Sequence, residues 1–350
     1  MANIPIYLDH AATTPLLPAA RAAWLEGAAI WANPSSPHAA GRAARAALEE
    51  ARERVRAALG WSGEVVFTSG ASEALALAIT RCSLPLAAVS AVEHEAVLRH
   101  LKLTGEGSML PVDADGWVDP ASAALPGLVA VQHVNNETGV IQPIAEIAAA
   151  VRGAGGLLLA DCAQSAGKLA LPEADLIALA AHKFGGPIGI GALLVRDWAM
   201  LTPGGGQERG YRGGTENLPG VLAMTAALEA GTDWRGEAAR LRARLEAGIV
   251  EASGEVVAAA APRIPTIGAY RMPGKSAAAQ LIGFDAKGIA VSAGSACSSG
   301  SLRGSHVLAA MAFSGAAEVV RVSIGRETTE AEIDAFLAAW RALRPERTAA

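Results

Sequence analysis

The sequence predicts an α/β protein, with a mostly parallel central sheet and a smaller α+β unit toward the C-terminus. Three observations carry this. Through the middle of the chain short apolar runs alternate with helical stretches, the pattern of strand–helix–strand units in a parallel sheet. A glycine-rich break, LTPGGGQERGYRGGTENLPG (201–220), is too flexible in composition for regular structure and interrupts that pattern. Beyond it, strands and helices mix without the earlier alternation. In chain order, residues 38–59 space small apolar residues three and four apart with Glu and Arg between them, an amphipathic helix with i,i+4 charge support. Candidate strands follow at 64–68, 86–90, 128–134, 156–160, 175–180 and 191–196, with helices at 71–81, 93–103 and 143–153. After the break, 216–252 reads as helical; strands are expected at 255–260, 289–292 and 319–324, and helices at 275–283 and 328–343.

Composition narrows the function. The chain has 350 residues, is 51% hydrophobic, and sets 29 Lys+Arg against 34 Asp+Glu for a net charge of −5. That removes the basic stripe of a nucleic-acid binder. No window reaches the ~18 uninterrupted apolar residues of a spanning helix, and MANIPIYLDH lacks the basic-then-apolar layout of a signal peptide. Cys82, Cys162 and Cys297 are scattered and never form CxxC, so neither a disulfide framework nor a zinc site is expected. The chain reads as cytoplasmic.

Three tempting motifs fail on counting. HEAVLRH (94–100) has Leu98 where HExxH requires its second histidine. MPGKS (272–276) would need a glycine at Ala269 to complete a phosphate loop. NET (136–138) is formally a glycosylation acceptor, with nothing else pointing to secretion.

The informative segment is LLLADCAQSAGK followed by DLIALAAHKFGGP. Asp161 ends one apolar strand and Lys183 follows the next, where an open α/β sheet presents ligand-binding groups. A lysine beside a glycine turn at a buried strand end is unusual, and desolvation there leaves its amine nucleophilic. Such a pair suits pyridoxal phosphate, which needs an amine for its aldehyde and a carboxylate for its ring nitrogen. On these two residues alone, a surface ion pair is the competing reading.

The motifs YLDHAATTP (7–15), NPSSPHAAGR (33–42), FTSGASE (67–73), EHEAVL (93–98), VNNETGVIQP (134–143), DCAQ (161–164), HKFGGP (182–187), GGGQERGYRGGT (204–215), SACSSGS (295–301) and RVSIGR (321–326) stand in this order. In them the sequence resembles the cysteine desulfurases of the NifS-like group, within the class V aminotransferases, from about residue 5 to 335. The resemblance implies the type I fold of pyridoxal phosphate-dependent transferases, with helices on both faces of the sheet. It also implies an N-terminal segment (1–15) packing with the small domain, a large cofactor-binding domain (16–245), and a small domain (246–350) carrying a catalytic cysteine.

Residue by residue, the resemblance makes Lys183 the cofactor lysine, Asp161 the partner of the ring nitrogen and Gln164 the contact of the ring hydroxyl. His94 would stack on the ring, and Asn136 would face substrate and cofactor. The phosphate is expected at FTSGASE, where a strand ends and a helix begins. Ala71 and Ser72 would contact it there, with His182, and Thr215 would reach the phosphate of a neighbouring subunit, implying a homodimer. Arg321 is similar to the arginine that grips the substrate carboxylate, which suits its planar fork. Cys297, in a Ser/Gly-rich run unsuited to a core, would be the nucleophile that takes sulfur from L-cysteine as a persulfide, releasing L-alanine. A sulfur acceptor or iron–sulfur scaffold protein would receive it. Cys162 and Cys82 read as packing.

The sequence departs from the family pattern at Ala180, where relatives usually place a serine, at Gly185 for a tyrosine, and at Leu75 and Ala76 for Asp-Asn. The chain also ends soon after its last predicted helix, where relatives that dock scaffolds often carry a longer tail; this bears on the partner more than on the reaction. Two other readings stand beside the desulfurase. One is a selenocysteine lyase or other β-lyase, which needs no thiol nucleophile. The other is a degenerate member that binds within a sulfur pathway.

Overall fold

The computed structural model describes residues 6–294 and 304–345. Its elements are, in order, β1 (Ile6–Tyr7), α1 (Pro18–Ala29), α2 (Ala39–Leu59), β2 (Glu64–Thr68), α3 (Ala71–Arg81), β3 (Leu86–Ser90), α4 (Glu95–Thr104), β4 (Ser108–Leu110), β5 (Leu128–Gln132), α5 (Ile144–Gly153) and β6 (Leu157–Asp161). They continue as β7 (Leu176–Ala180), β8 (Gly191–Val195), α6 (Leu218–Glu229), α7 (Arg235–Glu251), β9 (Glu255–Val256), β10 (Ile267–Arg271), α8 (Ala277–Asp285), β11 (Ile289–Ala290), α9 (His306–Ala310), β12 (Val319–Ser323) and α10 (Glu330–Leu343).

Seven strands form the central sheet in the order β2-β8-β7-β6-β5-β3-β4. β8 runs antiparallel to both neighbours and every other pairing is parallel. The strand interiors are largely apolar because both faces are covered, with polar residues such as Gln132 and Asp161 at the strand ends. Alternate side chains serve opposite layers, as the strand period of two requires. Val65, Phe67, Leu158, Ile177 and Leu179 pack into one core with α1, α2, α5 and α6. Val66, Leu159, Leu176 and Ala178 pack into another with α3 and α4.

Helix ends follow local chemistry. α2 starts at His38, whose side chain accepts from the Gly41 N–H, and stops at Gly60 in the left-handed region. α10 carries a reciprocal capping box between Thr329 and Glu332. The stretch 216–252 is two helices rather than one, because the chain turns at Gly231 with φ +74°. α1 and β10 stand where the sequence showed no clear period.

A third core gathers Leu8, Leu241, Leu245, Ile249, Tyr270, Phe284, Val320, Phe336 and Trp340. It lies on a three-stranded antiparallel sheet, β12-β10-β9, with α7, α8 and α10 around it. A boundary at 245/246 falls inside α7, whose buried side chains belong to this core. The N-terminal strand β1 pairs with β11, bringing Leu8 into the same cluster. Among the described residues no helix is long and apolar enough to cross a membrane.

One buried ion pair fastens the glycine-rich break to the sheet. Arg52 of α2, 2% exposed, donates to Glu208 at 2.8 and 3.0 Å and to the Val65 carbonyl at 2.6 Å. Glu208 accepts the Phe67 N–H at 2.9 Å. Side chains thus occupy the outward-facing polar groups of β2, the strand at one end of the sheet.

Candidate active site

The parallel strands β5, β6 and β7 end on one side of the sheet, and a cleft of about 450 Å³ opens beyond them. Nine of the eleven site residues expected from the sequence line it: Ala71, Ser72, His94, Asn136, Asp161, Gln164, His182, Lys183 and Arg321. Thr215 is exposed and lies outside the cleft. Cys297 lies outside the described residues.

Asp161 is the last residue of β6, in register with Gln132 of β5 and Ala178 of β7. Its carboxylate accepts the Ala163 N–H at 2.9 Å. Burial raises its pKa from 3.8 to about 6, opposed by that hydrogen bond and by the charge of Lys183. The site holds a carboxylate that lacks enough cation. Behind it Glu93 is fully buried; burial and then the Asp161 charge hold its carboxyl well above the usual range, while one oxygen accepts the Gln132 N–H at 2.6 Å.

Lys183 follows β7 on the short helical turn Ala181–Lys183. Its amine donates to the carbonyls of Ala11 at 2.7 Å and Ala12 at 2.9 Å. The N-terminal segment therefore forms a wall of the site. Thr14 donates through its N–H and its hydroxyl to the His182 carbonyl, at 2.8 and 2.9 Å. Gln164 donates to the Ala11 carbonyl at 2.9 Å, and its own Oε1 is buried without a partner among the described residues. Sequence reasoning used YLDHAATTP only as a family motif; the wall it builds had no local signal.

His94 caps α4 by accepting the Ala96 N–H through Nδ1 at 3.2 Å. Burial and the Lys183 charge lower its pKa to about 4, and the same causes with Lys168 lower His182 to about 4. Both imidazoles are neutral at pH 7, so they present flat rings and hydrogen bonds rather than charge.

At the β2–α3 turn, Gly70 has φ +153° and no side chain caps α3, so its first N–H groups are left for a ligand. Glu73 accepts the Ser69 N–H at 2.5 Å and Arg212 at 3.0 Å, tying the glycine-rich break to this turn. Across the cleft, Arg321 of β12 is 3% exposed. It donates to Asp9 at 2.7 Å and to the Asn136 carbonyl at 2.9 Å, and its Nε is buried without a partner among the described residues. Asn135 shapes the turn beneath by accepting the Glu137 and Thr138 N–H groups, each at 2.9 Å.

Ser305 and His306 are anchored to residues that adjoin His94 and Asn136 of this cleft. Ser305 donates to buried Glu137 at 2.6 Å, and His306 meets the Glu93 carbonyl at 2.8 Å. Cys162 is fully buried and its thiol pKa is pushed far up by burial; Cys82, half-buried at the end of α3, is raised for the same reason.

Comparison with known proteins agrees with this geometry. The family "Aminotransferase class-V" matches residues 6–336. A cysteine desulfurase of Cereibacter sphaeroides is 38% identical, over 95% of this chain and 94% of the relative. A cysteine desulfurase IscS of Anaeromyxobacter sp. (strain Fw109-5) is 40% identical, over 95% of this chain and 90% of the relative. The X-ray structure of a NifS-like protein from Rickettsia africae ESF-5 superposes with a TM-score of 0.89 at 28% identity, covering 97% of this chain and 99% of that one. The chain belongs to the class V aminotransferase family.

Proposed function

We propose that this protein is a pyridoxal phosphate-dependent cysteine desulfurase, converting L-cysteine to L-alanine and passing the sulfur to an acceptor protein. The observation that carries the reading is the pairing of Lys183 and Asp161 at adjacent strand ends in one cleft, under a buried Gln164 oxygen with no partner. These groups fit the cofactor: a protonated ring nitrogen supplies the cation Asp161 lacks, a ring hydroxyl can donate to Gln164 Oε1, and a phosphate suits the open N-terminus of α3 beside Ser72 and His182. When bound, pyridoxal phosphate supplies the electron sink for bond breaking at the substrate α-carbon.

The chain's own residues supply the rest. Arg321 offers its unpartnered Nε to the substrate carboxylate, with Asn136 alongside. The neutral ring of His94 covers the cofactor face. Lys183 anchors the cofactor and then takes the α-proton as a base. The thiolate of Cys297 attacks the substrate sulfur: an S–S bond forms, the Cβ–S bond breaks, and its electron pair stays with carbon to be protonated as alanine.

The exposed position of Thr215 supports a homodimer, and Ile188, 78% exposed at the cleft, offers an apolar contact for a second subunit. The acceptor is an iron–sulfur scaffold or another sulfur-carrying protein, in the cytoplasm. The test is a visible spectrum of the purified protein with and without L-cysteine, followed by sulfide and alanine assays. Cys297→Ala should keep the cofactor and lose the persulfide. Undiminished sulfur transfer in that variant, or a protein that cannot be reconstituted with pyridoxal phosphate, overturns the proposal.

A further inference from the structure

Behind Lys183 lies a second, smaller cavity of about 40 Å³, and Lys183 is the one residue that lines both it and the main cleft. Its lining includes buried His10, Lys168 and Gly325, half-buried Trp234 and Arg326, and exposed Glu327. Gly325 is required there, since a Cβ would fall 2.3 Å from the His10 ring. Its wall is mostly apolar, with Leu17, Phe184 and Ile324 among the lining, but His10, Lys168 and Glu327 offer polar partners and there is room for a water.

Lys168 is 4% exposed, and among the described residues its amine has no hydrogen bond or ion pair. Lysine is almost never so buried without a partner. The His10 Nδ1 beside it is also buried and unpartnered. The charged groups that act on Lys168 are Lys183 and Arg321, both cations. Burial first, then these two charges, lower its pKa to about 7, so the amine exchanges protons at neutrality. The other bases around Lys183 are less suited: burial and neighbouring cations bring His10, His94 and His182 to about 4, and Asp161 is committed to the ring nitrogen.

We propose that this rear cavity is the proton-exchange route of the active-site lysine, with Lys168 as the relay between Lys183 and solvent. The Lys183 ammonium gives its proton to water in the cavity, an N–H bond forms on the Lys168 amine, and the proton then passes to solvent, which reaches the cavity wall at exposed Glu327. The reverse sequence returns a proton to Lys183. No electrons change hands. The inference rests on Lys183 being the base proposed above.

The experiment follows deuterium from D₂O into the α-position of L-alanine, catalysed by the holoenzyme, by NMR. Lys168→Met should slow this wash-in by at least about a hundredfold, the low side of what a positioned acid–base group contributes. Lys168→Arg, which keeps bulk and charge but cannot release a proton, should slow it as well. A second readout needs no turnover: NMR of ¹³C-labelled lysine in the cofactor-free protein should show one side chain titrating between pH 6 and 8, absent from Lys168→Arg. Wash-in at the parental rate in either variant, or no lysine titrating in that window, overturns the relay. Failure of the underlying reading looks different, because Lys183→Ala would then still exchange the α-proton.

Discussion

Replacing Asp161 by Asn separates two demands on one carboxylate. In the cofactor-free protein that carboxyl is raised from 3.8 to about 6 by burial. An unfolded chain therefore releases this proton near pH 3.8 and the folded chain near pH 6. Between those values the folded state holds more protons, so its stability falls as pH rises and stays depressed above pH 6. The loss corresponds to about 3 kcal/mol. Asn carries no charge to bury and can still accept the Ala163 N–H. Cofactor-free Asp161→Asn should thus be about 3 kcal/mol more stable than its parent at pH 7, or about 4 °C in Tm for a chain of this size. The gap should close below pH 4. Glu93 would widen it slightly, since the Asp161 charge also burdens that carboxyl. Adding pyridoxal phosphate should reverse the order, because only the parent can pair the ring nitrogen. Urea unfolding from pH 4 to 8, with and without cofactor, reads both effects. A gap independent of pH, or a cofactor-free variant weaker than its parent at pH 7, would refute the reasoning.

Three further outcomes follow from the same coordinates. Arg52→Met leaves Glu208 buried and unpaired and should cost about 3–5 kcal/mol in urea unfolding, with partial recovery on adding Glu208→Gln. Gly185→Ala should destabilise by about 1–3 kcal/mol, because φ is +94° and a Cβ there would stand 2.5 Å from Leu17 Cγ; thermal unfolding checks this, and a neutral result counts against the strain. Ala180→Ser, at the cleft wall, restores the hydroxyl usual in relatives. A hydrogen bond to the charged phosphate contributes about 1.5–3 kcal/mol, so equilibrium dialysis should show cofactor held about ten- to a hundredfold more tightly.

What could be read from the chain depended on how local the cause was. β2 and β3 were legible at 64–68 and 86–90 because strands buried on both faces leave unbroken apolar runs. Asp161 and Lys183 stood out as charged residues ending such runs. α1 was not legible: PAARAAWLEGAA is rich in small residues that mark no stripe, although α1 packs on α6. The helix break at Gly231 was passed over although Gly-Thr-Asp there is a turn-prone run, because good helix formers resume soon after it. Contacts between distant residues leave no trace in spacing at all. Arg321 meets Asp9, Arg52 meets Glu208, and Lys168 comes within reach of Arg321 only once the cores are assembled. Nine residues that line the cleft were named through motifs, whereas the N-terminal wall and the rear cavity required the fold.

The clasp on β2 has a consequence for behaviour in a crowded solution. A strand at the end of a sheet offers its free carbonyls and amides as a template on which another chain can add. Here Arg52 holds the Val65 carbonyl and Glu208 holds the Phe67 amide, so that template is filled from within the same molecule. Loss of Arg52 would then do more than weaken the fold. It would uncover a strand reading VVFT, apolar and β-prone, and the affected molecules would be lost to self-association before they were lost to unfolding.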